Sequence, residues 1–332
     1  MTTGDMALHQ APNGEALAGR FARVFDALAT NIERVIRGKR EKVDLALVCL
    51  LSEGHLLVED VPGVGKTTLA RCIAASVDAQ WHRIQFTPDL LPSDITGVSI
   101  FNQSDNRFEF HPGPIFANLV VADEINRGSP KTQSSLLEVM EERRVTVDGT
   151  PHPVPRPFMV MATQNPVDMD GTYPLPEAQL DRFLMRVSMG YPDHRSEVAV
   201  LSGMPSGPAI DQLATIAGAD DIAGMIDFAG RLHVAMPLCD YVVNVVAATR
   251  TSPDVRLAAS PRASLALLRA ARVRAAAAGR PYVVPEDVKA LAEPVLAHRL
   301  LLTPDAELRG RTATDVVRDT INAVPLPQVA GA

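Results

Sequence analysis

The sequence predicts an α/β fold: a doubly wound, mostly parallel sheet followed by a small all-α domain. Three observations carry that reading. Five short apolar runs, His55–Glu59, Trp81–Phe86, Asn118–Ala122, Phe158–Thr163 and Leu184–Met189, have strand length and are separated by helical spacing. Asn118–Ala122 and Phe158–Thr163 are continuous rather than alternating, as in strands buried on both faces. Beyond Ser196 the strand signals fade, and Ala-, Leu- and Arg-rich helical periodicity takes over.

Each element has its own signal. Residues 1–28 are Ala/Gly-rich and polar and are expected to form a disordered tail. Thr30 with Glu33 reads as a capping box, and helical spacing continues through Ile36, Val43 and Leu47. The Pro/Gly turn Val61–Gly65 leads into a helix over Lys66–Ser76. Ser129-Pro130 is a cap followed by proline at the first helical position, opening a helix to Glu142. Two hairpins interrupt the rhythm: Val98–Pro112, around Ser104-Asp105-Asn106, and Arg144–Pro155, around Asp148-Gly149. Ser260-Pro261 and Gly279 bracket a helix over Ser264–Ala278, and Glu286–Leu300 is helical with Pro294 inside it. The expected organisation is a core over 29–193, a helical domain over 194–302, and 303–332 as a tail or as part of that domain.

Composition narrows the function classes. The chain has 332 residues, 46% hydrophobic, with a net charge of −7. Without a basic stripe, a duplex nucleic-acid binder is disfavoured. The three cysteines, Cys49, Cys72 and Cys239, are far apart and lack metal-ligand spacing, so they read as core thiols in a reducing compartment. The N-terminal stretch shows no basic segment followed by an apolar one, and the longest apolar stretch, Val43–Val58, is broken by Ser52-Glu53-Gly54-His55. A cytoplasmic protein without a membrane span is expected.

The segment Asp60-Val61-Pro62-Gly63-Val64-Gly65-Lys66-Thr67-Thr68 follows a strand and opens a helix, the setting of a phosphate-binding loop. Pro62 to Thr68 would wrap a nucleotide's phosphates, with glycines letting backbone N–H groups curl around them. Lys66 would bridge the β- and γ-phosphates of ATP, and Thr67 would hold Mg²⁺ through its hydroxyl. Asp60 stands where the usual pattern has its first glycine, which implies a changed turn rather than lost binding. Val120-Val121-Ala122-Asp123-Glu124 is a buried run ending in two acids: Asp123 for the metal shell, Glu124 to polarise an attacking water. Phe158–Thr163 leads to Gln164-Asn165-Pro166, where Asn165 would hold the same water or the γ-phosphate. Each motif has a bland alternative: a chance Lys-Thr after a turn, two acids at a strand end, a turn asparagine. Their order along one chain favours the chemistry.

The run of VPGVGKTTLA, LLPSDITG, HPGPIFANLVVADEINR, KTQSSLLEVMEERRVTVDG, ATQNP, PLPEAQLDRFLMR and SPRASLALLRAAR resembles the MoxR family of AAA+ ATPases over roughly residues 30–302. The resemblance implies an αβα sandwich with a five-stranded parallel core and a helical lid. Val98–Pro112 would be the helix-2 insert, and Arg144–Pro155 the hairpin before the sensor-1 strand. It also implies a ring, usually hexameric, with ATP between subunits, and a chaperone-like role with a von Willebrand factor A domain protein and an unnamed client. Arg182 would be the arginine finger, with Arg186 in reserve, and Arg262 would be sensor 2. Ile36, in Val35-Ile36-Arg37-Gly38, would pack against adenine, though an amphipathic helix end explains it almost as well. A magnesium-chelatase ATPase subunit, a DNA-directed AAA+ motor and a nucleotide-gated scaffold remain rivals. The first would be told apart by its client, and the second lacks any added DNA-binding module here.

Overall fold

The computed structural model describes residues 14–61, 63–165, 172–191, 194, 198 and 210–327. In chain order the core comprises α1 (Gly14–Glu33), α2 (Arg40–Leu51), β1 (Leu56–Glu59), α3 (Lys66–Ser76), β2 (Trp81–Gln85), α4 (Pro92–Thr96), β3 (Gly97–Asn102), β4 (Arg107–Pro112), β5 (Leu119–Asp123), α5 (Pro130–Glu142), β6 (Arg144–Val147), β7 (Thr150–Pro153), β8 (Met159–Gln164), α6 (Glu177–Leu180) and β9 (Met185–Val187). The helical part comprises α7 (Ala219–Gly230), α8 (Met236–Ala248), β10 (Val255–Leu257), α9 (Pro261–Ala277), α10 (Pro285–Leu296), β11 (Leu301–Leu302), α11 (Pro304–Leu308) and α12 (Ala313–Ala323).

The five predicted strands form one parallel sheet in the order β2-β5-β8-β1-β9. Pairing sets Gln85 beside Asp123 and Glu59 beside Gln164, so the C-terminal ends of four strands share one edge. The buried strands β5 and β8 send alternate side chains into two layers. Leu119, Val121, Met159 and Met161 face a core shared with α1, α2, α3 and the helical domain. Val120, Ala122, Val160 and Ala162 face the layer with Ile95 of α4 and Leu136, Leu137 and Met140 of α5. This is the αβα sandwich that the sequence predicts. The two hairpins are β3–β4 and β6–β7, and Asp148 (φ 49°) and Gly149 (φ 78°) make the second one's turn with both central residues left-handed.

Three expectations need correction. The tail expected over 1–28 is helical from Gly14: α1 buries Phe21, Phe25, Leu28 and Ile32 against both the core and the helical domain. Thr30 therefore lies inside a helix rather than capping one. The helical domain is not free of strands, because β10 and β11 pair antiparallel. Of the open alternatives for 303–332, the structure takes the second as far as Ala323. Ala306, Val316 and Val317, from α11 and α12, join the main core. The boundary expected at 193/194 falls largely outside the described residues.

Candidate functional site

The loop after β1 is built by glycines. Gly63 (φ 85°) and Gly65 (φ 91°) hold left-handed backbone that L side chains rarely adopt, and a Cβ on Gly63 would meet nothing within 4 Å. Gly65 is the N-cap of α3 and contributes no side-chain bond, so the positive end of that helix opens onto the loop. Pro62 lies outside the described residues. Lys66 Nζ donates to the Asp60 carbonyl at 2.6 Å. Burial pushes its pKa below the ordinary lysine value, against the opposing pull of Asp60, Asp123 and Glu124.

Asp60, at the position of the missing glycine, is a tie rather than a gap. Its Oδ1 accepts from the Val61 N–H at 2.9 Å, and its Oδ2 accepts from Ser188 Oγ at 3.0 Å and the Gly190 N–H at 2.7 Å. Burial alone would raise this carboxyl's pKa, but those bonds outweigh it and hold it below the usual range. Lys39 grips the same segment from the other side, donating to the carbonyls of Met189 at 2.6 Å and Tyr191 at 2.7 Å.

The ends of β5 and β8 meet this loop. Asp123 Oδ2 accepts from Thr67 Oγ1 at 3.3 Å and from Arg83 Nε at 2.6 Å. Thr163 Oγ1 donates to Asp123 Oδ1 at 3.1 Å and accepts the Glu124 N–H at 2.9 Å. Glu124 has left-handed backbone (φ 56°), and its Oε2 accepts from Gln85 Nε2 at 3.0 Å and from Arg127 at 3.2 Å. Asn165 follows β8 directly and is buried. Ile36 is buried, and its Cδ1 lies 4.0 Å from where a Gly65 Cβ would be.

The arginines gather elsewhere. Arg182 Nε donates to Glu141 Oε2 at 3.0 Å, and Arg262 Nη2 to Glu141 Oε1 at 2.6 Å. Asp181 joins the core to the helical domain, accepting from Ser260 Oγ at 3.0 Å and Arg299 Nη1 at 2.6 Å. They line a cleft of about 560 Å³ in which five arginines face three carboxylates. Its floor includes Glu53, Gly54 and His55, which precede β1, and Leu184, which precedes β9. The loop and Asn165 follow their strands instead, and Asp123 ends β5. In a parallel sheet these are opposite edges, separated by roughly 13 Å even across a four-residue strand. Arg186 is outside the cluster, paired with Glu59 at 2.8 Å.

Comparison with known proteins gives the family and the fold. The family described as "ATPase family associated with various cellular activities (AAA)" matches residues 55–185, and the AAA lid domain matches residues 247–320. Chaperone MoxR1 of Mycobacterium tuberculosis is 43% identical, covering 97% of this chain and 87% of that protein. This chain belongs to the MoxR family of AAA+ ATPases. The uncharacterised YeaC of Bacillus subtilis is 50% identical over 90% of this chain and 93% of its own length. The crystal structure of a candidate ATPase from Cytophaga hutchinsonii superposes with a TM-score of 0.86 at 35% identity, covering 95% of this chain and 98% of that one.

Of the residues that sequence reasoning singled out in this MoxR protein, the structure brings the loop, Asp123, Glu124, Asn165 and Ile36 into one neighbourhood and sets Arg182 with Arg262 in another. Sequence reasoning missed Thr163, Arg83, Gln85 and Glu141. Arg83 and Gln85 are two apart on β2, so period-2 alternation puts them on one face, a signal available from the strand alone. Nothing in the sequence singles out Glu141 among the acids of Glu138-Val139-Met140-Glu141-Glu142.

Proposed function

We propose that this MoxR protein hydrolyses Mg²⁺-ATP between adjacent copies in a ring, expected to be a hexamer, and uses the cycle to remodel or activate a partner protein. The observation that carries the reading is the placement of Arg182 and Arg262 at the sheet edge opposite the phosphate loop. Two arginines beyond reach of their own chain's loop suit a γ-phosphate presented by a neighbour, as in a head-to-tail ring.

The residues fit the nucleotide and its metal. The open glycine turn and the uncapped start of α3 suit phosphate oxygens, with Lys66, Thr67 and Thr68 opening that helix. Among the described residues no group of three His, Cys, Asp or Glu side chains could hold a metal alone. Mg²⁺ suits such a site, because it keeps several waters and takes one or two protein oxygens beside the phosphates. Thr67 and Asp123 would supply those oxygens, and the metal would offset charge on the phosphates. Glu124, positioned by Thr163 and Gln85, would orient and polarise the attacking water, with Asn165 beside it. Ile36 would pack against the adenine.

The two-part build supports remodelling. The Ser188–Tyr191 segment follows β9 and is tied to the loop through Asp60, so a change at the phosphates has a mechanical route outward. The name of the mycobacterial relative, a chaperone, supports a protein client, and a von Willebrand A domain protein is the expected companion. Among the described residues no helix is long and apolar enough to cross a membrane, and a cytoplasmic location is proposed. The test is a pull-down with Glu124→Gln, which should trap the ATP state, with and without Mg²⁺-ATP. ATP-dependent capture of one defined protein or complex supports remodelling. Recovery of nucleic acid alone would leave the ATPase and remove the chaperone role.

A further inference from the structure

Glu141 stands at the end of α5, and that end is fixed. Ser129 caps the start of the helix, accepting the Thr132 N–H at 3.3 Å, and Arg143 closes it in left-handed conformation. Arg143 in turn donates to the Glu53 carboxylate at 2.6 Å and the Glu53 carbonyl at 2.9 Å. The carboxylate is therefore presented at a defined point of the cleft. Arg182 arrives there from the core, and Arg262 from the first turn of α9. Asp181 fixes both approaches, since it neighbours Arg182 in sequence and binds Ser260 and Arg299 of the helical domain.

Two guanidinium groups repel each other unless an anion lies between them. Glu141 is that anion, using one oxygen for each arginine. Its bond to Arg182 uses Nε, which leaves the terminal nitrogens of that arginine for a second acceptor. The arginines are 29% and 59% exposed and Glu141 35%, so these pairs are screened, weakly held and exchangeable. A triphosphate carries more charge than one carboxylate and offers more acceptor oxygens, so it outcompetes Glu141 when it enters.

We propose that Glu141 is a positioning residue that holds Arg182 and Arg262 side by side, pre-aimed, until both pass to the triphosphate of a neighbouring copy. This rests on the shared-site reading above and adds the group that assembles its arginine half. Without Glu141 the two arginines splay, and turnover falls while the loop, on the opposite edge, still binds nucleotide.

Complementation tests the idea in the full-length protein. Glu141→Gln is expected to lower kcat about tenfold or more with KM for ATP changed less than about threefold. Glu141→Asp, which keeps the charge, restores most of that turnover. Mixing Glu141→Gln with Lys66→Ala should regain activity, up to roughly a quarter of wild type, where an intact loop meets intact arginines. A parallel mixture of Arg182→Ala with Lys66→Ala reads the shared site itself. If that control complements while Glu141→Gln keeps wild-type kcat, or is not rescued by Lys66→Ala, Glu141 has no positioning role. If the control fails too, the shared-site reading falls and takes this proposal with it.

Discussion

Thr163 is the residue whose contribution the sequence conceals most. It reads as the last position of an apolar strand, yet its hydroxyl ties Asp123 to the Glu124 backbone. Thr163→Val keeps the shape and removes both bonds. It is expected to cost about 1–3 kcal/mol of stability and to lower kcat roughly 10–100-fold, with nucleotide affinity nearly kept. Phosphate release beside a nucleotide titration checks this, and unchanged turnover would contradict it. Asp60 conceals its role differently, because the loop pattern marks it only as a departure from glycine. Since its carboxyl pKa is depressed in the fold, its contribution is present above the ordinary carboxylate range and is lost as pH falls through the folded value. Asp60→Ala should remove this contribution, and denaturant midpoints of the two proteins should converge at acid pH.

At the scale of elements, strands and turns were the legible part. Buried parallel strands have only their apolar character to display, and β1, β2, β5, β8 and β9 all lie where apolar runs put them. Ser129 caps α5 as its sequence suggests, but Ser260, at the equivalent position of α9, spends its hydroxyl on Asp181. A capping signature thus became a contact between domains, which no local rule foresees. Helix α1 was obscured by composition: Ala and Gly suggested disorder, while Phe21, Phe25, Leu28 and Ile32 kept helical spacing. Because that face packs on both parts of the molecule, Phe25→Ala should destabilise by about 3–5 kcal/mol. A shift of the urea midpoint measures it, and no shift would mean that α1 is dispensable.

For the whole molecule, two buried histidines set an acid limit. His55 accepts the Val160 N–H through Nδ1 and faces the Met140 carbonyl with Nε2, an arrangement that requires a neutral ring. Burial, helped by the charge of Arg143, pushes its pKa down to about 4, and burial beside Arg299 pushes His298 to about 3. The unfolded chain takes up these protons near 6.5, so stability is full above that value and falls as pH drops towards the folded values. Each histidine contributes at most about 1.4 kcal/mol per pH unit. A denaturant midpoint lower at pH 5 than at pH 7.5 is expected, and equal midpoints would contradict it. The same scale holds what the sequence could not show, that the phosphate loop and the arginine cluster lie at opposite edges of one sheet. The most direct measurement of that claim is steady-state phosphate release by Arg182→Ala, with ATP affinity measured on the same preparation. The account predicts a loss of about 10³-fold or more in turnover with affinity unchanged. Equal loss of both, or turnover like the wild type, would contradict a site shared between copies.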